Sequence, residues 1–357
     1  MEIQFAYPSF NWSNNAKGGA GVTVVIIGVG VKNNSPKSLY LENNLKNSVK
    51  HINPYLAGAP TIYVNSKTKP INYLPEMVRG NYTGCCNALI LTSEEKEKLI
   101  KNEPSSVKFI RPFVGSSEFI KNDFRYCLWI SDNLLNEAKQ IPEISERIDK
   151  VREERLKSTD KGQNNIANRS HQFREFNETT IQSVIVPVVS SQRRNYIPTG
   201  FISPGTIVPN SAQIIYDCET WVFGVVSSRI HMSWVSTVAG RLRGDYRYSS
   251  SICYNVFPFP EVNQKQKEQI NLHVFEVLEE REKHSGKTLA QLYDPDKMPK
   301  GLKEAHHQLD LAIERCYRLK PFESDIERLE YLFKEYEKMI NKNTLLEKPK
   351  RTRKKKA

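Results

Sequence analysis

The run "SSQRRNYIP" sets four side chains with two-pronged hydrogen-bonding heads side by side: Gln192, Arg193, Arg194 and Asn195. Such heads match the base edges exposed in a DNA major groove, arginine pairing with guanine and the amides with adenine. In an extended segment, alternate side chains point to opposite sides. Gln192 would then share a face with Arg194, or Arg193 with Asn195, and the other pair would meet phosphate or solvent. The same four residues also suit an ordinary solvated loop, and taken alone they leave both readings open.

A second group lies in "GRLRGDYRYSSS", residues 240–251. Arg241, Arg243 and Arg247, interleaved with Tyr246, Tyr248 and Ser249, suit phosphate contacts that fix register on a duplex without reading its sequence. Gly240 and Gly244 would let backbone amides approach a phosphate. The competing reading pairs Asp245 with these arginines. Arg169, His171 and Arg174, in the polar and aromatic stretch "QNNIANRSHQFREFNETT", are further candidate contacts.

Other chemistry finds no support in the spacing. Gly28 and Gly30 follow an apolar run, but a dinucleotide-binding turn needs a third glycine and then a helix, where Asn33 and "NNSPKS" follow here. Asn53–Tyr55, "NPY", lacks one proline of the NPPY tetrapeptide of amino-methyltransferases and follows no apolar strand, so it reads as a turn. Adjacent His306 and His307 face different directions on a helix and cannot share a metal as HExxH does. His231, near Ser227 and Ser228, has no GxSxG elbow beside it. The six cysteines, Cys85, Cys86, Cys127, Cys218, Cys253 and Cys316, form no CxxC pair. No catalytic residue and no metal site is expected.

The chain of 357 residues is long enough for two or three domains. Its net charge is +12, and Lys350, Arg351, Arg353, Lys354, Lys355 and Lys356 supply six of those charges. The remaining excess of six on the body points to a polyanionic partner. Residues 347–357 are expected to be a disordered basic tail that either is merely solvated or binds nucleic acid without selectivity. "MEIQFAYPSFNW" lacks the basic start and apolar run of an export signal. No apolar stretch approaches the roughly 20 residues that span a bilayer. Scattered cysteines without a leader place the expected location in the cytoplasm, away from membranes.

The elements that must position these residues fall into three textures and predict a mixed α+β fold. Residues 1–104 are strand-rich: "EIQFAY" alternates, "GVTVVIIGVG" is an apolar run of the kind buried on both faces of a sheet, and "TIYV" reads as a strand. Thr92 and Glu95 are spaced as a capping box opening a helix. Residues 105–262 mix β-type runs ("YCLWI", "SVIVPVVS", "TWVFGVV", "SICYNVF") with one charged helix, whose apolar face is Ile144, Ile148 and Val151. Residues 263–346 are helical, with stripes of Ile270, Val274 and Leu278; of Leu302, Leu309, Ile313 and Cys316; and of Ile326, Leu329, Phe333, Tyr336 and Ile340. Ser324 and Glu327 mark a second capping box.

Six runs then occur in a telling order: "FAYPSFNWSNNAKGGAGVTVVIIGVG" (Phe5–Gly30), "INPYL" (Ile52–Leu56), "RPFVGSSEFI" (Arg111–Ile120), "RYCLWI" (Arg125–Ile130), "VPVVSSQRRNYIPTGFI" (Val186–Ile202) and "HMSWVSTVAGRLRGDYRYSSSICYNVFPFP" (His231–Pro260). Over nearly the whole chain this series resembles the C-terminal part of the MmeI-like single-chain restriction-modification methyltransferases, the type IIL group. In that family a nuclease precedes a methyltransferase domain, a target recognition domain and a helical C-terminal region. S-adenosylmethionine donates a methyl group to the exocyclic amine of an adenine in a short asymmetric site. The resemblance implies that residues 1–104 are the end of the methyltransferase domain, 105–262 the target recognition domain and 263–346 the helical region. It implies double-stranded DNA as partner, puts the 192–195 quartet in the recognition domain, and makes Phe10 or Trp12, in "SFNWSN", the candidate for stacking on an extruded base. A core aromatic closing the sheet is the alternative for each of these two.

The sequence departs from the family by carrying no nuclease, no S-adenosylmethionine glycine motif and no NPPY before the first matching run. The expectation is a split or truncated form that cannot methylate alone and binds no cofactor itself. A cut methyltransferase sheet would expose Val24–Ile27 and call for a separate chain carrying the catalytic half. Two other readings stay open: an RNA-binding protein using the same aromatic and basic segments, without an RRM-type signature to support it, and a non-catalytic assembly subunit.

Overall fold

The computed structural model describes residues 1–12, 22–40 and 45–346. The expected basic tail, 347–357, lies outside the described residues. The alternating N-terminal run forms β1 (Glu2–Trp12), antiparallel to β2 (Val22–Gly30) and parallel to β3 (Lys37–Tyr40), and β4 (Lys46–Val49) completes the order β2-β1-β3-β4. Lys37, the first residue of β3, is buried and bonded to Glu2 at 2.7 Å and to Asn33 Oδ1 at 2.7 Å. The Lys37 ammonium holds the Glu2 carboxyl down at about 2.

Strand β2 is not buried on both faces as its composition predicts. It is the edge of this sheet, and Val25, Ile26, Ile27 and Val29 are each between 44% and 57% exposed. Gly28 lies against the Phe5 ring, which passes 2.0 Å from where a Cβ would stand, and after Gly30 the chain bends at 34–35 straight into β3. The glycine pair is thus a strand end, with no helix after it. "NPY" is a turn, as its sequence indicates: Asn53 Oδ1 accepts from the N–H groups of Tyr55 at 3.0 Å and Ala57 at 3.1 Å. "TIYV" makes no strand, although Ile62 and Val64 are buried and Tyr63 is exposed. The Val64 and Asn65 N–H groups go to the hydroxyls of Tyr55 and Tyr336, where a strand would offer carbonyls.

Two further sheets form the middle of the chain. β6 (Ile90–Leu91), β7 (Ile110–Phe113) and β8 (Arg125–Leu128) pair in the order β6-β8-β7. They share a core with α1 (Ser93–Asn102) and α4 (Pro142–Lys157), in which Leu99, Ile144, Ile148 and Val151 are buried. The Thr92–Glu95 capping box is formed in both directions. Short helices α2 (Ser116–Lys121), α3 (Leu135–Ala138) and α5 (Lys161–Asn164) connect these elements. β5 (Met77–Arg79), β9 (Ser183–Pro187), β11 (Gly200–Ile202) and β12 (Ala212–Ile215) form an antiparallel sheet in the order β11-β9-β12-β5. Residues 77–79 are therefore hydrogen-bonded into one sheet with residues 183–215, across the boundary expected at 104. β10 (Val189–Ser190), β13 (Gly240–Leu242) and β14 (Asp245–Arg247) make a small sheet of order β10-β14-β13.

Two runs expected as strands are helical. "TWVFGVV" is α6 (Thr220–Val226), and "SICYNVF" begins with a π-helical turn over Ser250–Tyr254. Every residue from Trp221 to Val226 is buried, so α6 has no polar face to reveal its period. Gly224 is where it meets its neighbour, since a Cβ there would stand 2.7 Å from Ile270 Cγ2. That neighbour is α8 (Gln264–Glu282), which packs with α7 (Arg229–Val238), α9 (Leu289–Leu292), α10 (Lys300–Tyr317) and α11 (Asp325–Leu346) into one core that also takes in residues 57–77. Ile270, Val274, Leu302, Leu309 and Ile313 are buried as their spacing predicts, while Leu278 and Cys316 are half-buried. Each fully buried side chain of this kind contributes about 1.5–3 kcal/mol. Only half of the second capping box forms: Ser324 Oγ accepts from the Glu327 N–H, but the Glu327 carboxylate turns to the N–H of Glu323.

Candidate nucleic-acid interface

The small sheet joins two segments about 50 residues apart in sequence. Val189 pairs with Arg247, Ser190 with Tyr246, and Arg241 with Tyr246 across β13 and β14. The quartet leaves the end of β10 and runs directly beside the hairpin. The Gln192 N–H donates to Asp245 Oδ1 at 3.3 Å, and the Gln192 amide lies over Gly244. The two candidate groups form one continuous surface.

Within it the quartet is a turn, and the extended geometry expected for it is not found. The Arg194 N–H donates to the Ser191 carbonyl at 3.1 Å, which curls the chain over 191–194. The strict alternation of facing pairs is thereby lost. Arg193 and Asn195 are exposed, while Gln192 and Arg194 are half-buried. Arg193 pairs with Asp296, which raises its pKa. Desolvation lowers the pKa of Arg194, opposed by Asp245 and Asp294. Asn195 accepts twice from Arg229 Nη1, at its carbonyl and at Oδ1, both 3.1 Å.

The hairpin turns at Arg243 and Gly244, whose φ values of 53° and 94° are those of a tight two-residue loop that favours glycine. Alternation along β14 sends Arg247 outward and Tyr246 inward. Arg243 at the tip and Arg247 on the strand are exposed cations. Arg241 is exposed too, but it donates to the carbonyls of Gly244 and Ser236 and stacks on Tyr246 at 4.1 Å. Asp245 is occupied by Gln192, not by these arginines. Tyr246 and Tyr248 are corrections to the phosphate group. Both are buried, and the Tyr248 hydroxyl meets His231 Nε2 at 2.9 Å inside the core. Ser249 is half-buried and hydrogen-bonded to Ser251.

The remaining candidates lie away from this surface's sheet where they are described. His171 is buried against Asp132 at 2.8 Å, and Arg169 donates to the carbonyls of Phe173 and Arg174. Arg174 lies 5.9 Å over the Tyr82 ring. The buried guanidinium of Arg155, bonded to the carbonyls of Ile166, Arg169 and Gln172, fastens that whole stretch. Phe10 sits in β1 opposite Val24, and Trp12 ends that strand with its side chain outside the described residues. Among the described residues no group of three metal-ligating side chains exists, and no helix is long and apolar enough to cross a membrane.

Sequence reasoning missed what holds the surface in place. Tyr196, next after the quartet, donates its hydroxyl to Asp310 Oδ2 at 2.8 Å, and Asp310 Oδ1 accepts from the Arg229 N–H at 2.7 Å. Arg229 Nε donates to Asp325 at 3.0 Å. Arg281 donates to the Thr199 carbonyl at 2.8 Å while gripping the Tyr293 hydroxyl. The C-terminal helices therefore pin the segment that follows the 192–195 turn, at Tyr196 and Thr199. One signal was present: His306 and Asp310 interrupt the apolar stripe of α10, and a buried polar residue needs a partner.

Three family models match the chain. Residues 1–41 match the family model described as the MmeI DNA-methyltransferase domain, residues 58–261 that of the MmeI target recognition domain, and residues 262–344 that of the MmeI C-terminal domain. The chain is 44% identical over 342 residues to DNA methyltransferase A of Bacillus subtilis (strain 168), covering 96% of this chain and 39% of that protein. The type IIL restriction-modification enzyme MmeI, solved in complex with DNA, superposes with a TM-score of 0.83 at 38% identity, over 95% of this chain and 46% of that one. The chain thus spans less than half the length of these relatives. With family models covering nearly all of it, the chain belongs to the MmeI family and carries its target recognition and C-terminal domains together with part of its DNA-methyltransferase domain.

Proposed function

We propose that this chain recognises a short asymmetric site in double-stranded DNA on behalf of an adenine-specific methyltransferase of a restriction-modification system. The observation that carries this reading is the meeting of the 192–195 turn with the 240–247 hairpin on one sheet. Exposed bidentate heads stand beside exposed cations there, the division of labour a DNA reader needs between base edges and phosphates. Arg193, Arg194, Gln192 and Asn195 are the base-reading group; Arg243 and Arg247 hold phosphate, with Arg241 and Ser249 beside them.

The likeness to MmeI solved with DNA supports the partner. S-adenosylmethionine would be bound by methyltransferase residues beyond the described ones, and we assign no methyl transfer to this chain alone. The exposed apolar strand β2 supports docking onto the remainder of a methyltransferase sheet, whether joined in one polypeptide or carried by a second. Six free thiols fit a cytoplasmic setting.

Selection of bound duplexes from a randomised pool at two salt concentrations tests the reading. Enrichment of a short asymmetric motif that survives the higher salt is the expected result. Binding without enrichment, lost as salt rises, would reduce the chain to a sequence-blind basic surface.

A further inference from the structure

Arg193 does not stand free on the recognition turn. Its Nη2 donates to the Asp296 carboxylate, although both side chains are more than 60% exposed. Asp296 belongs to the C-terminal region, on the turn between α9 and α10. Bonds that do not involve Arg193 fix that turn. The Asp296 N–H donates to Asp294 Oδ1 at 3.1 Å, and the Asp294 carbonyl accepts from the N–H groups of Lys297 and Met298. Tyr293, just before it, is held by the same Arg281 that grips Thr199. Two carboxylates, Asp294 and Asp296, thus face the two arginines of the quartet.

We infer that Asp296 is a specificity-determining residue, which neutralises Arg193 toward phosphate while leaving it able to read a base. The inference rests on the reading that residues 192–195 face DNA. A guanidinium carries five N–H donors, and the contact with Asp296 occupies Nη2 alone. A phosphate oxygen approaching the free side of the fork brings a full negative charge beside a carboxylate. Guanine O6 and N7 are neutral acceptors and meet far less repulsion. The ion pair is exposed, hence weak and screened by salt, so it biases Arg193 without locking it. Asp296 therefore acts mainly against non-cognate DNA, where an unpaired arginine would gain a phosphate.

The test titrates the whole 357-residue chain and its D296N variant with two duplexes of equal length. One carries the motif enriched from the pool, the other a scrambled sequence, each across a salt series. D296N is expected to bind the scrambled duplex several-fold tighter, with a log–log salt slope steeper by about 0.9, one phosphate's worth. Its affinity for the motif should change less, so the preference narrows. In an R193A background D296N should change nothing. An unchanged slope and affinity on the scrambled duplex, or an equal gain on both duplexes, would overturn the inference. R193A alone separates this failure from that of the underlying reading. If R193A keeps the full preference, Arg193 does not read a base and the premise itself falls; if R193A loses it and D296N is silent, only the role of Asp296 falls. Because both side chains are exposed, D296N should melt like the wild type.

Discussion

Asp310 shows how one side chain links the recognition turn to the helices beneath it. It accepts from Tyr196 and from the backbone of Arg229, and burial pushes its pKa up to about 7. The folded state thus binds this proton more tightly than the unfolded chain does. The stabilisation is complete below about pH 4 and is lost as pH rises through about 7. His231 and His306 have the opposite sign: burial depresses both, so their contribution is lost as pH falls below about 6.5. Subtracting the Asp310→Asn variant isolates the carboxyl. Urea unfolding at stepped pH should show the wild type losing stability relative to the variant between pH 4 and 7, and a constant difference above that. A difference independent of pH would remove Asp310 titration from the account. Asp310→Ala, which strands two buried donors, should cost about 1–3 kcal/mol for each. None of these partnerships was legible from sequence. The residue types of the quartet were, but Asp296, Arg229 and Asp310 lie too far along the chain for spacing to connect them.

At the scale of the element, the β13–β14 hairpin carries the sequence-blind part of binding. Arg243→Ala and Arg247→Ala should each weaken every duplex by a similar factor and flatten the salt slope by about 0.9, measured by fluorescence anisotropy. A loss confined to one sequence would make them base readers instead. Tyr248→Phe should leave the slope unchanged and lower stability by about 0.5–1.5 kcal/mol, because its hydroxyl serves His231 inside the core. Elements with a polar face were legible: α4 buries the whole stripe its period predicts, and α8 and α10 bury theirs except for half-buried Leu278 and Cys316. α6 was not, since a helix buried all round shows the same apolar run as a buried strand. "TIYV" failed for a different reason, its alternation being real while tyrosine hydroxyls took the place of a partner strand. The quartet failed similarly, its chain curled by one Ser191–Arg194 hydrogen bond that composition does not announce.

Across the whole molecule, the residues after the 192–195 turn, the hairpin and the C-terminal helices share one core, while β2 leaves an apolar edge exposed. Ile26→Lys should reduce concentration-dependent self-association of the chain in sedimentation velocity and leave DNA binding intact. Unchanged association would mean that this edge is not the sticky surface. The central claim, that the turn at 192–195 reads bases, is tested most directly by repeating the duplex selection with Arg193→Ala and Arg194→Ala. The account predicts that the enriched motif persists but loses its preference at one base pair, a change worth about 1–3 kcal/mol at that position alone. A motif enriched unchanged by both variants would contradict it.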